Sequence, residues 1–131
     1  MLCHTMDSMK RALVCDDDPH IARLVQVNLE HHGYDVVTAF DGQQAKDALA
    51  KDTFDVAVLD YIMPRADGVE VIEFVRNDLK SAMPIVLLTL EAGPTLVEQV
   101  APFHPVKVVM QNGKYDWEEI LTVANWPAAS A

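Results

Sequence analysis

From Ala12 to Thr89 the chain alternates short, nearly continuous apolar runs with longer stretches whose apolar residues recur at helical spacing. The runs Ala12–Cys15, Asp35–Ala39, Val56–Leu59 and Ile85–Leu88 are short and aliphatic or β-branched, and they predict strands. The stretches between them predict helices. Asp18 followed by Pro19 is an N-cap with proline at the first helical position, and Ile21, Leu24, Val25 and Leu29 form the inward face of a helix that stops at Gly33. Asp41 caps a second, more exposed helix with Ala45, Ala48 and Leu49 inward. A third helix begins at about Gly68, after a cap at Asp67, and turns Val69, Ile72, Val75 and Leu79 toward the core.

Strand and helix alternating with connections of a few residues predicts an α/β fold, a parallel sheet with helices on both faces. The pattern then loosens. Pro94, Pro102 and Pro105 leave room only for a short, displaced fourth helix over Thr95–Ala101, with Leu96, Val97 and Val100 inward. Val106–Met110 predicts a fifth strand, Asn112-Gly113 a turn, and Asp116 with Glu119 a capping box that opens a last helix with Trp117, Ile120, Leu121 and Ala124 inward.

Composition narrows the function classes. A chain of 131 residues, half of them apolar, holds one domain and one core. A formal net charge of −10 argues against nucleic acid and anionic membranes as partners, because phosphate binding needs clustered Lys and Arg. Only Cys3 and Cys15 are present, one in the N-terminal leader and one in a strand, so reduced thiols and a cytoplasmic location are expected. No run has the length of a secretion signal or a membrane span. The expected limits are a flexible leader over residues 1–10, the domain over 11–125 and a tail over 126–131.

Candidate chemistry lies at strand ends, where open parallel sheets bind ligands. Val14–Asp18, VCDDD, ends one apolar run in three carboxylates, and FDVAVLDYIMPRADG delivers Asp60 to the tip of another before breaking into a loop. Carboxylates that converge at one sheet edge repel each other unless a proton or a cation neutralises them. An open all-oxygen cluster beside a phosphate site suits Mg²⁺, with Asp60 then a nucleophile as well as a ligand. The remaining polar residues read as ordinary surface or capping groups. Adjacent His31 and His32 cannot chelate one ion from a helix, His20 sits in the first turn of its helix, and Asp18 is more useful as a cap than as a ligand. Trp117 and Trp126 are candidates for a partner surface.

The run ALVCDDDP, then FDVAVLDYIMPRADG, then MPIVLLTL, in that order and at these separations, resembles the receiver domain of two-component response regulators over roughly Arg11–Leu90. The resemblance implies a flavodoxin-like, doubly wound five-stranded sheet of order 2-1-3-4-5. It also implies that Asp60 accepts a phosphoryl group from a histidine kinase or histidine phosphotransfer protein. Asp16, Asp17, Asp60 and the main-chain carbonyl of Ile62 would hold Mg²⁺, and Thr89 would bind the phosphoryl oxygens and move on activation. Such a domain signals by presenting a face to a downstream protein and is not an enzyme beyond its own phosphorylation and dephosphorylation. No output domain follows in this sequence, so binding is the expected output, with a homodimer left open.

Three departures accompany the resemblance. Met110 or Gln111 stands where the family has a lysine at the end of strand five, and Lys114 is the nearest substitute. Val108 or Val109 stands at the aromatic switch position, and Leu90 follows Thr89 where a small residue is usual. Two other readings therefore stand beside the first: a pseudo-receiver that binds partners without a working switch, and a phosphatase built on the Asp16–Asp18 DxD pattern.

Overall fold

The computed structural model describes residues 10–90 and 94–110, together with Ile120 and Thr122. Five strands, β1 (Lys10–Cys15), β2 (Tyr34–Ala39), β3 (Val56–Asp60), β4 (Ile85–Thr89) and β5 (Val106–Met110), form one parallel sheet of order β2-β1-β3-β4-β5. This is the flavodoxin-like order expected from the sequence. The helices are α1 (Pro19–His31), α2 (Gly42–Lys51), α3 (Gly68–Glu73) and α4 (Pro94–Val100).

The three central strands are buried on both faces, so their residues alternate between two cores. Leu13, Cys15, Ala57, Leu59, Ile85 and Leu87 pack with α2, α3 and α4. Ala12, Val14, Val56, Val58, Val86 and Leu88 pack with α1 and with Ile120. Leu13, Leu59 and Leu87 are fully buried, and each such side chain contributes about 1.5–3 kcal/mol by leaving water.

Local chemistry fixes the helix ends. The Asp18 carboxylate accepts the His20 N–H at 2.9 Å with Pro19 at the first helical position, and the Asp41 carboxylate accepts the Gln44 N–H at 2.8 Å. Asp67 and Glu70 form a reciprocal capping box, with the Glu70 N–H donating to Asp67 at 2.9 Å. Gly33, at φ +91°, takes the left-handed turn after α1 that a side chain would resist.

Several expectations are corrected. Leu24 of α1 and Val97 of α4 face solvent, at 42% and 47% exposure, and the inward positions belong to Ala22, Val25 and Leu29 in α1 and to Leu96 and Val100 in α4. β1 starts at Lys10 and β2 at Tyr34, because both edges continue to pair upstream. The third helix is not α-helical throughout: after Glu73 it widens into a π-helical segment over Phe74–Asp78, with the Leu79 N–H donating to Phe74 O at 3.0 Å. A 3₁₀ turn, Ala101–Phe103, follows α4.

The π segment carries Arg76, half-buried behind the sheet. Its guanidinium donates to Phe103 O at 2.7 Å, Ser81 O at 2.9 Å and Pro105 O at 3.0 Å, tying the segment to the chain that enters β5. Burial pulls its pKa down. The Asn112-Gly113 turn, the Asp116 capping box, Trp117, Leu121, Ala124, the N-terminal leader with Cys3 and the tail lie outside the described residues. Ile120, which is described, is fully buried as expected.

Candidate functional site

Parallel pairing sets the tips of β1, β3 and β4 side by side. Cys15 pairs with Leu59, and Asp60 pairs with Leu88, so the residues that end these strands meet at one edge. Asp16, Asp17 and Asp60 each bring a carboxylate oxygen there, and the three oxygens lie within 4.8 Å of one another. Asp16 is buried, Asp60 half-buried and Asp17 exposed, so the cluster opens to solvent on one side. Thr89 is buried at the end of β4, one residue beyond the partner of Asp60. The structure thus brings together Asp16, Asp17 and Asp60 as the sequence led one to expect, with Thr89 on the adjoining strand tip. Asp18, His20 and Asp67 are not part of this acidic group. Asp18 and Asp67 cap helices, each through its Oδ1.

Backbone contacts position the acids. The Asp18 N–H donates to Asp16 Oδ1 at 2.9 Å, and the Asp16 N–H to Ala39 O at 3.2 Å. After Asp60 the chain turns sharply: the Tyr61 N–H donates to Leu88 O at 2.9 Å, and the Gly68 N–H to Tyr61 O at 2.8 Å. The Ile62 N–H donates to the Asp60 carboxylate, while the Ile62 side chain is 73% exposed. Gly68 lies so close beneath the turn that a Cβ there would be 2.7 Å from Asp60 O. The sequence marks Gly68 as a helix start, but its packing against Asp60 shows only in the fold.

The electrostatics follow from this crowding. Burial first, then the charges of Asp16 and Asp17, push the Asp60 carboxyl up to about 7, and the Ile62 N–H offsets part of that rise. The same surroundings keep Cys15, packed with its Sγ 3.2 Å from Met63 Sδ, a protonated and unreactive thiol at about 12.

A pH dependence follows for the protein in chelator. Asp60 is raised when folded, so its protonated form adds stability below the ordinary carboxylate range, near 3.8, and this is lost as pH rises through about 7. The stability of Asp60→Asn should therefore gain on that of the wild type as pH rises from 5 to 8, by about 1–2 kcal/mol, a figure discounted for the screening of a half-exposed group. Urea titrations at the two pH values check this; the same difference at both would contradict it.

Among the described residues, no helix is long and apolar enough to cross a membrane. The profile of the response regulator receiver domain matches residues 12–112. Over 80 residues the chain is 44% identical to the alkaline phosphatase synthesis transcriptional regulatory protein PhoP of Bacillus subtilis (strain 168), a match that takes in 61% of this chain and 33% of that protein. The match thus spans about a third of the relative's length. Two solved structures are similar: the chemotaxis response regulator CheY4 of Vibrio cholerae (28% identity, TM-score 0.80, 88% of this chain and 99% of that one) and the response regulator protein TrrA of Thermotoga maritima in complex with Mg²⁺-BeF (30% identity, TM-score 0.73, 88% and 99%).

Proposed function

The chain belongs to the response regulator receiver domain family, and on that premise we propose that it takes a phosphoryl group onto Asp60 with Mg²⁺ bound beside it, within two-component signalling. The observation that carries this reading is the meeting of Asp16, Asp17 and Asp60 within 4.8 Å at the strand tips. The donors are all carboxylate oxygens, and the cluster is open on one side, which fits a hard ion that keeps several waters. Asp16, Asp17, Asp60 and the main-chain carbonyl of Ile62 would hold it. When bound, the ion supplies positive charge that favours the ionised form of Asp60 and neutralises the transferring group.

The residues of the chain do the rest. The ionised Asp60 carboxylate attacks the phosphorus of a phosphohistidine on a histidine kinase or phosphotransfer protein. An O–P bond forms as the P–N bond breaks, and the imidazole nitrogen keeps the electron pair and takes up a proton. The Thr89 hydroxyl donates to a phosphoryl oxygen, and Lys114, outside the described residues, is the candidate for the missing strand-five cation. The domain, taken as residues 11–125, then acts by binding a downstream protein.

Incubation with Mg²⁺ and acetyl phosphate should add one phosphoryl group by intact mass, and the gain should vanish in Asp60→Asn and in chelator. An unmodified wild type that also fails to bind beryllofluoride would defeat the reading. Modification without any change in the amide spectrum of β5 would favour the pseudo-receiver instead.

A further inference from the structure

A second concavity lies at the opposite edge of the sheet from the acids, where the chain leaves α2 for β3 and the π segment for β4. Its volume is about 410 Å³, inside the roughly 300–1,000 Å³ range of small-molecule sites. Leu49, Val75 and Met83 are buried at its base, and Leu79 and the Phe54 ring complete the apolar wall. The π segment builds one side of it, and widened turns of this kind occur often at functional sites.

The polar groups on the rim are unequally committed. The Asp52 carboxylate faces the Arg11 guanidinium at 3.8 Å, and that guanidinium also lies 5.1 Å from the centre of the Phe54 ring. Ser81 Oγ accepts the Met83 N–H at 3.2 Å, which leaves its hydroxyl proton to donate. Lys51 is exposed and has no ion pair among the described residues. Lys51 and the Ser81 hydroxyl are thus the donors of the lining, beside an Asp52 carboxylate whose charge is partly offset by an Arg11 guanidinium shared with Asp35, above an apolar floor.

We propose that this concavity binds a small amphipathic anion, a monocarboxylate with an aromatic or aliphatic body, with the body against Leu49, Val75 and Met83 and the carboxylate at Lys51 and Ser81. This site does not depend on phosphorylation of Asp60. It is open and shallow, so a dissociation constant on the order of 1 mM is expected for a simple probe.

The test is an amide-detected NMR titration of the full chain with 4-phenylbutyrate, and with 4-phenylbutyramide as the uncharged counterpart. Saturable shifts should centre on residues 49–54 and 79–83. The amide should bind at least five-fold more weakly, Lys51→Glu should weaken the acid at least five-fold, and Ala50→Trp, which fills the mouth from an exposed position, should abolish the shifts. Asp60→Asn should bind as the wild type does, so that loss of the phosphorylation reading leaves this result standing. Shifts that do not saturate, that spread over the surface, or that are unchanged in Lys51→Glu would overturn the proposal.

Discussion

Arg76→Met should lower folding stability by about 3 kcal/mol, because charged hydrogen bonds are worth about 1.5–3 kcal/mol each and are not additive. The substitution keeps most of the buried stem, so lost packing contributes little. What it removes is a planar donor that serves the carbonyls of Phe103, Ser81 and Pro105 together, at 2.7, 2.9 and 3.0 Å. The Pro105 carbonyl also accepts the Ile85 N–H at 3.1 Å, so the loss falls mainly on the carbonyls of Phe103 and Ser81. Relief of the guanidinium's own burial, which lowers its pKa, offsets part of the loss. Arg76→Lys should recover less than half, since one ammonium cannot span three acceptors in a fork. Urea midpoints at constant m-value measure both, and a loss below about 0.5 kcal/mol for Arg76→Met would show that the carbonyls are served otherwise.

Gly42→Ala should cost about 2–3 kcal/mol, the upper part of the range for overpacked sites. A Cβ at Gly42 would stand 2.0 Å from Ala66 O and 2.6 Å from Ala66 C. The obstacle is backbone, so no rotamer change relieves it. Either α2 must shift outward, breaking the contact of the Gly42 N–H with Pro64 O at 3.3 Å, or the loop from Pro64 to Ala66 must move. That loop adjoins Met63, which packs against Cys15, and begins four residues after Asp60, so displacement there should also slow acetyl phosphate labelling of Asp60. A variant with wild-type melting and labelling would mean that the approach relaxes freely.

Much of this was legible in the residues. The strands were readable because doubly buried parallel strands need continuous apolar runs, and Asp18, Asp41 and Asp67 were readable as caps because capping is chemistry within a few residues. The meeting of Asp16 and Asp60 was readable once the runs they end were taken as parallel neighbours. Leu24 and Val97 were misplaced because helical spacing marks a broad stripe. A seven-residue helix such as α4 buries only the narrow row of Leu96 and Val100. The π segment left no mark at all: one extra residue per turn changes neither composition nor apolar content. Nothing in the sequence singles out Arg76, because two of its three partners, at 103 and 105, are remote along the chain. The raised Asp60 carboxyl is likewise a property of enclosure, which a sequence does not display.

Burial falls off toward both margins of the sheet. β1, β3 and β4, which lead to Asp16, Asp60 and Thr89, are closed on both faces, whereas β5 is mostly half-buried and sits at the margin. Partial openings of a folded chain begin where the fewest apolar contacts must be given up, and amide protons in such regions exchange first. Amides of β5 should therefore exchange well before those of β3, through openings that leave the three central strands paired. The carboxylates would stay gathered through such excursions, so the acid edge and the β5 margin answer to different free energies of opening.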